Sequence, residues 1–198
     1  QQQPSIGHWN LWTWLNNLTP LVKDPAEKEQ FKENLSKCLE HFEKTFLEYY
    51  TLGLCQKMGL PSFHKDSFDC GMAFLRILQA EQLDYTDSFI RLQNKAYTVL
   101  RDDCLDIRQF DTFLNQYQAI RENQATDELD AEMLKANPQY ILRNHMAQKA
   151  IELAERDDFS EVERLFKLLS QPYSKQTDIE QPEDLGPLPS DVPEVMVS

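Results

Sequence analysis

From Trp9 to Ser170 the apolar residues return at steps of three and four, interrupted by short polar or proline-bearing stretches. That spacing is the signature of helices with one buried face. Trp9, Leu11, Trp12, Trp14, Leu15 and Leu18 predict a strongly aromatic first helix that stops near Pro20. After KDPAE, where Pro25 suits a first helical turn, Phe31, Leu35, Cys38/Leu39, Phe42, Phe46 and Tyr49/Tyr50 predict a long amphipathic helix. It should end at KMGLP, a glycine-then-proline stop.

Further helices are expected with Phe68, Met72, Leu75 and Leu78 inward, capped by Asp66 or Ser67, and from Asp84 with Phe89 and Leu92 inward. Residues 105–120 carry Leu105, Ile107, Phe110, Phe113, Leu114, Tyr117 and Ile120, again at helical spacing, and Thr126 can cap a short helix ending near Ala136. Asn137 followed by Pro138 reads as an N-cap and first turn. The helix so started would carry Arg143, Asn144 and His145 in its middle, an unusual polar triplet. Ser160 with Glu163 reads as the capping box of a last helix running to about Ser170. Residues 171–198 hold five prolines, six acids and one lysine with little periodicity, too little apolar area to offset their ordering entropy. The expectation is therefore an all-α domain of seven to nine helices over 1–170 and an extended or disordered tail over 171–198, lying over a surface where it is held.

Composition narrows the function classes. At 41% hydrophobic and 11% aromatic the chain is globular, and five glycines are too few for an all-β sandwich or barrel. A net charge of −13 argues against a nucleic-acid partner, which needs clustered Lys and Arg, and against anionic membranes. No stretch reaches the roughly 18 apolar residues of a membrane span. The four cysteines, Cys38, Cys55, Cys70 and Cys104, are widely spaced and form no CxxC, so reduced, mostly buried thiols are expected. The opening QQQPSIGHWN has neither an initiator Met nor a signal sequence and reads like the middle of a longer chain.

Candidate chemistry is sparse. No glycine-rich phosphate loop occurs. Cys38 and His41 stand three residues apart on one helix and could form a nucleophile–base pair or half a metal site, against a buried thiol beside a boundary histidine. His64 reads as a loop residue. The acids of AERDDFSEVE and DELDAE lack the alternation and central glycine of an EF-hand loop. Asp157, Asp158, Glu161 and Glu163 read instead as a solvated helix start. The tryptophans, two to three residues apart, fall on more than one face, so at least one should meet something beyond the domain's own core.

Four blocks resemble one family in order. NPQYILRNHMAQKAIELAERDDFSEVERLFKLLSQPY resembles the closing signature of the SelO/YdiU family, usually near NPKYILRNYLAQ with a final RPY. DYTDSFIRL resembles its DYTxxFRxL segment, QQQPSIGHWNLWTWL its NQPxIxxWNLxxL segment, and FLNQYQAIR its W/F-xxx-Y helix. The blocks run from Gln3 to Tyr173. The resemblance implies a protein adenylyltransferase of kinase fold that uses ATP and Mg or Mn to move AMP onto protein Ser, Thr or Tyr. In that family the nucleotide, metal and catalytic residues precede the first of these blocks, so none is carried over. His145 stands where the family usually has Tyr, and QPY replaces RPY. Relatives often end in Val-Ser-Cys-Ser-Ser or carry selenocysteine there, a residue that in the family can join a disulfide to the kinase core; Val197-Ser198 stands as if just short of it, and that switch is assigned to none of these residues.

The reading is a catalytically silent helical region that supports a kinase-like N-terminal core of the same protein and can help shape a protein-substrate surface. Trp9, Arg143 and Asn144 are its candidate docking or structural residues. Arg143 can either fix docking or pair internally with an acid such as Asp84. The rival is a free-standing acidic interaction module, and a third reading is an enzyme built on Cys38 and His41. The expected compartment is the bacterial cytoplasm, or the mitochondrion for a eukaryotic relative.

Overall fold

The computed structural model describes residues 3–62, 65–124 and 126–187. Among them the chain forms nine α-helices, two short 3-10 turns and no strand. The helices are α1 (Gln3–Leu18), α2 (Pro25–Met58), α3 (Lys65–Ala80), α4 (Tyr85–Gln93), α5 (Tyr97–Asp102), α6 (Ile107–Gln124), α7 (Asp127–Ala136), α8 (Asn144–Ala154) and α9 (Ser160–Ser170). The chain divides into two compact units, 1–52 and 53–198, with the boundary inside α2.

The first unit is α1, the 3-10 turn Thr19–Leu21 and most of α2. Asp24 Oδ1 accepts from Ala26 N (2.8 Å) and Glu27 N (3.2 Å), which caps α2 just before Pro25. His8 meets Glu43 at 3.1 Å, and Phe42, Phe46 and Tyr50 follow one another along α2 with ring centroids about 6 Å apart. Only Leu15 and Leu35 are buried among the described residues of this unit.

The second unit has a real core. The end of α2 packs Leu54, Cys55 and Met58 with Cys70, Phe74, Ile77 and Leu78 of α3, Phe89 and Leu92 of α4, Leu100 of α5, Phe110, Phe113 and Tyr117 of α6 and Met133 of α7. Phe74 lies at the centre, stacked on Phe113 at 4.8 Å and edge-on to Phe89 at 5.2 Å. α2 stops as its sequence requires. Gly59 has φ +60°, Leu60 N donates to Cys55 O (2.9 Å) and Gly59 N to Gln56 O (3.1 Å), the two bonds of a Schellman ending. A Cβ on Gly59 would also lie 2.6 Å from Arg121 Nη1.

Several expected details are corrected. The buried line of α3 is Ser67, Cys70, Phe74, Ile77 and Leu78, with Met72 and Leu75 on its flank. α3 is apolar over so wide an arc that periodicity alone could not pick its centre. Asp66 and Ser67 lie inside its first turn instead of capping it. Leu105 is 94% exposed, just before α6, and the short α5 was not foreseen.

The helix expected from Pro138 does not exist. Asn137 closes α7 through its N–H to Met133 O (3.2 Å), and the N–H groups of Gln139 (2.7 Å) and Tyr140 (3.3 Å) both donate to Pro172 O. With those donors engaged elsewhere the chain stays irregular until α8 begins at Asn144. The triplet 143–145 therefore marks a helix start, with Arg143 as an extended N-cap. In α9 Ser160 is the first helical residue and makes no capping box; Asp158 Oδ1 accepts from Ser160 N at 3.0 Å.

A smaller second core of Tyr140, Met146, Ala150, Leu165 and Leu168 joins the 137–143 connector to α8 and α9. Residues 171–187 fold back onto it, Ile179 packing against the cluster and Asp184 buried.

Candidate docking surface and polar anchors

α1 is built from a sequence that is apolar on every side, and the hairpin with α2 can cover only one of those sides. Leu15 turns inward, while Ile6, Trp9 and Trp14 are 51–60% exposed and Trp12 is 48% exposed. On α2 of the same unit Leu47, Tyr49, Tyr50 and Leu52 are exposed as well. This is far more bare aromatic surface than isolated apolar residues on a monomer give.

In the second unit five of the eight arginines, Arg91, Arg101, Arg121, Arg143 and Arg164, are engaged with carboxylates of the chain itself. Arg143 holds Asp84 through both ends of its fork, Nη1 to Oδ2 at 2.9 Å and Nη2 to Oδ1 at 3.1 Å. The internal pair with Asp84, one of the two readings open from the sequence, is present in the structure. Asp84 also accepts from Asp87 N (2.8 Å) and so caps α4. Burial alone would raise the Asp84 carboxyl, but the Arg143 fork and the backbone donors outweigh it and hold the pKa below the ordinary value. The Arg143 Nε is buried and meets no acceptor among the described residues. Asn144 is exposed at the start of α8. Arg91 pairs with Asp87 (2.7 Å) and Asp103, Arg101 with Asp111 (2.7 Å), and Arg121 with Asp130.

Two anchors escaped the sequence reading. Lys57, in the last turn of α2, donates to Ala136 O (2.9 Å) and Asn137 Oδ1 (3.3 Å) and lies over the rings of Tyr85 and Phe89 at 5.5 and 5.4 Å. Burial lowers its pKa. Asn137 returns the contact, donating to Lys57 O at 2.8 Å. The second anchor is Arg164, whose guanidinium joins Glu161 to Asp184. Glu161, expected in a solvated helix start, is instead buried. Neither anchor has a local sequence signal, since both partners lie far off in the chain or on an undistinguished helix face.

The other candidates are not brought together. Cys38 and His41 are both exposed on α2, so the expected buried thiol is corrected; the remaining three thiols are buried. Burial pushes Cys55 and Cys104 up to about 11 and Cys70 up to about 12, which leaves them almost wholly protonated at neutral pH. His64 lies outside the described residues. Among the described residues no group of three or more His, Cys, Asp or Glu side chains could hold a metal ion. No described helix is long and apolar enough to cross a membrane.

The comparison with known proteins gives this arrangement a family. The model of the family described as protein adenylyltransferase SelO matches residues 1–170. The chain belongs to the SelO family. Its relatives include proteins named protein nucleotidyltransferase YdiU: from Pseudomonas fluorescens SBW25, 36% identical over 186 residues covering 90% of this chain and 37% of the relative; from Cupriavidus metallidurans CH34, 33% identical over 201 residues, 94% and 37%; and from Pectobacterium atrosepticum SCRI 1043, 33% identical over 195 residues, 96% and 38%. The chain thus spans well under half the length of these SelO-family relatives.

Proposed function

We propose that this chain is the C-terminal helical region of a SelO-type protein adenylyltransferase, silent in catalysis by itself and serving to support a kinase-like core of the same protein. The observation that carries the reading is the α1–α2 unit. It buries two apolar side chains and leaves three tryptophans, Ile6 and Leu47 exposed among its described residues. A face of that kind calls for a large apolar partner, and the extra length of the SelO-family relatives supports one within the same protein. Trp9 is the residue we assign to the centre of this contact and Asn144 to a polar one at the start of α8, while Arg143 works internally. ATP, Mg or Mn and the protein substrates belong to the core in this reading, and the compartment is the bacterial cytoplasm.

The test compares the longer protein with this chain alone. AMP transfer from ATP to a protein acceptor is expected of the former and absent from the latter, and titration of Mg-ATP into the isolated chain should release no heat. Micromolar nucleotide binding by the isolated chain would overturn its silence. In the longer protein Trp9→Ser should lower the thermal midpoint and the transfer rate together; an unchanged midpoint would remove Trp9 from the contact.

A further inference from the structure

Residues 176–184 cross α8 and α9 with little apolar attachment. Ile179 alone among them packs on the second core, and Leu185, just beyond, is about half exposed. The attachment is polar, with two ion pairs set among hydrogen bonds such as that from Gln176 Nε2 to Leu168 O (2.7 Å). From the connector, Tyr140 donates its hydroxyl proton to Glu180 and accepts from Gln176 N at 2.9 Å. From α8, Lys149 donates to Gln181 Oε1 (2.6 Å) and Glu183 Oε1 (3.1 Å), and His145 Nε2 lies 3.0 Å from Glu183 O. From α9, Arg164 donates to Ile179 O (2.9 Å) and to both oxygens of Asp184 (2.6 and 3.1 Å), whose side chain is fully buried.

The arrangement around Arg164 is uneven in a telling way. Its fork also holds both oxygens of Glu161, on its own helix, at 2.7 and 2.9 Å, and Lys149 lies 3.7 Å from the same carboxylate. If the segment leaves, Asp184, Glu183 and Glu180 pass into water, where a carboxylate is well solvated. Arg164 and Lys149 keep Glu161. Breaking a buried ion pair is ordinarily costly because it strands one charge. Here neither side is stranded.

We propose that residues 176–184 form a charge-held latch, closed by Asp184 on Arg164 and Glu183 on Lys149, that opens as a unit while the rest of the second unit stays folded. Opening uncovers Tyr140, Met146 and Leu168 beside the Arg164 guanidinium. Salt weakens the partly exposed Lys149–Glu183 contact most. Acid opens the latch for a second reason. The Glu183 carboxyl is held below its usual range by its own N–H and then by Lys149. A carboxyl lowered by folding contributes stability above its unfolded value, about 4.3, and that contribution is lost as pH falls through the folded value.

The test is hydrogen exchange, read by mass spectrometry on the intact chain. Moving from about 0.05 to about 1 M salt should speed exchange of amides 176–184 at least roughly tenfold and leave the α3 and α6 amides unchanged. Asp184→Asn, which spares α8 and α9, should open the segment at low salt, and trypsin should then cut after Lys175. Arg164→Lys, which keeps the charge but loses the fork, should fall between. Exchange of 176–184 at the α3 and α6 rate, independent of salt, would overturn the latch. So would an Asp184→Asn chain that stays protected.

Discussion

Gln82, Lys95 and Asp157 hold left-handed backbone, with φ of 56°, 57° and 61°, at positions where helices end. The bond patterns show why they must. Ala96 N reaches Arg91 O and Lys95 N reaches Leu92 O, and Asp158 N reaches Leu153 O while Asp157 N reaches Ala154 O, as in the Gly59 ending. A side chain in that conformation costs roughly 1–2 kcal/mol, part of which glycine's greater unfolded freedom takes back. Lys95→Gly is therefore expected to stabilise the chain by roughly 0.5–1 kcal/mol in urea denaturation. The Arg143–Asp84 pair belongs to the same scale. Both groups are mostly buried and Asp84 also caps α4, so Arg143→Met should cost about 2 kcal/mol by the same measurement, with Arg143→Lys recovering only part. Thiol chemistry separates the cysteines: an alkylating reagent at neutral pH should modify Cys38 alone in the native chain and all four cysteines after denaturation. Modification of the buried three at the Cys38 rate would show that the core opens freely.

Helices whose boundaries are written locally were legible in the sequence. Thr126 accepts from Leu129 N (3.2 Å) and starts α7, Asp84 starts α4, and Gly59 stops α2, each doing what its residue type and neighbours announce. Asn137–Pro138 announced a start just as clearly and was overruled. The Asn137 amide is claimed by Lys57 O and by Gln93 Oε1 (3.2 Å), and Pro172 O takes the next two backbone donors, contacts 32 to 80 residues away that no local pattern encodes. Over residues 171–187 the lack of an α-helix was legible, and what holds the stretch was not, for a related reason. Its apolar content is low, but its carboxylates meet Arg164 and Lys149, and charge pairing across sequence distance leaves no periodicity to read. The same limit hid Lys57 and Arg164, while the bare aromatic face of α1 was evident from three tryptophans spaced too closely for one side of a helix. Within the core the position of Phe74, wholly buried between Phe89 and Phe113, predicts that Phe74→Ala costs about 3–5 kcal/mol.

At the scale of the molecule the two units differ in how much holds them. The second has a continuous core from Leu54 to Met133, while the first buries only Leu15 and Leu35 among its described residues. In the isolated chain the amides of α1 and of α2 before residue 52 should exchange orders of magnitude faster than those of α3 and α6, and slow down when the rest of a SelO-family protein is present. Equal protection of both units in the isolated chain would contradict the docking role proposed for α1. The placement of Trp9, Trp12 and Trp14 has one more consequence. They are the only tryptophans in the chain, so its intrinsic indole emission is the voice of a single helix. A red-shifted spectrum would describe α1 in water while saying nothing of the folded core beside Phe74. Conversely, a blue shift on adding a partner would locate the contact on that helix without any label.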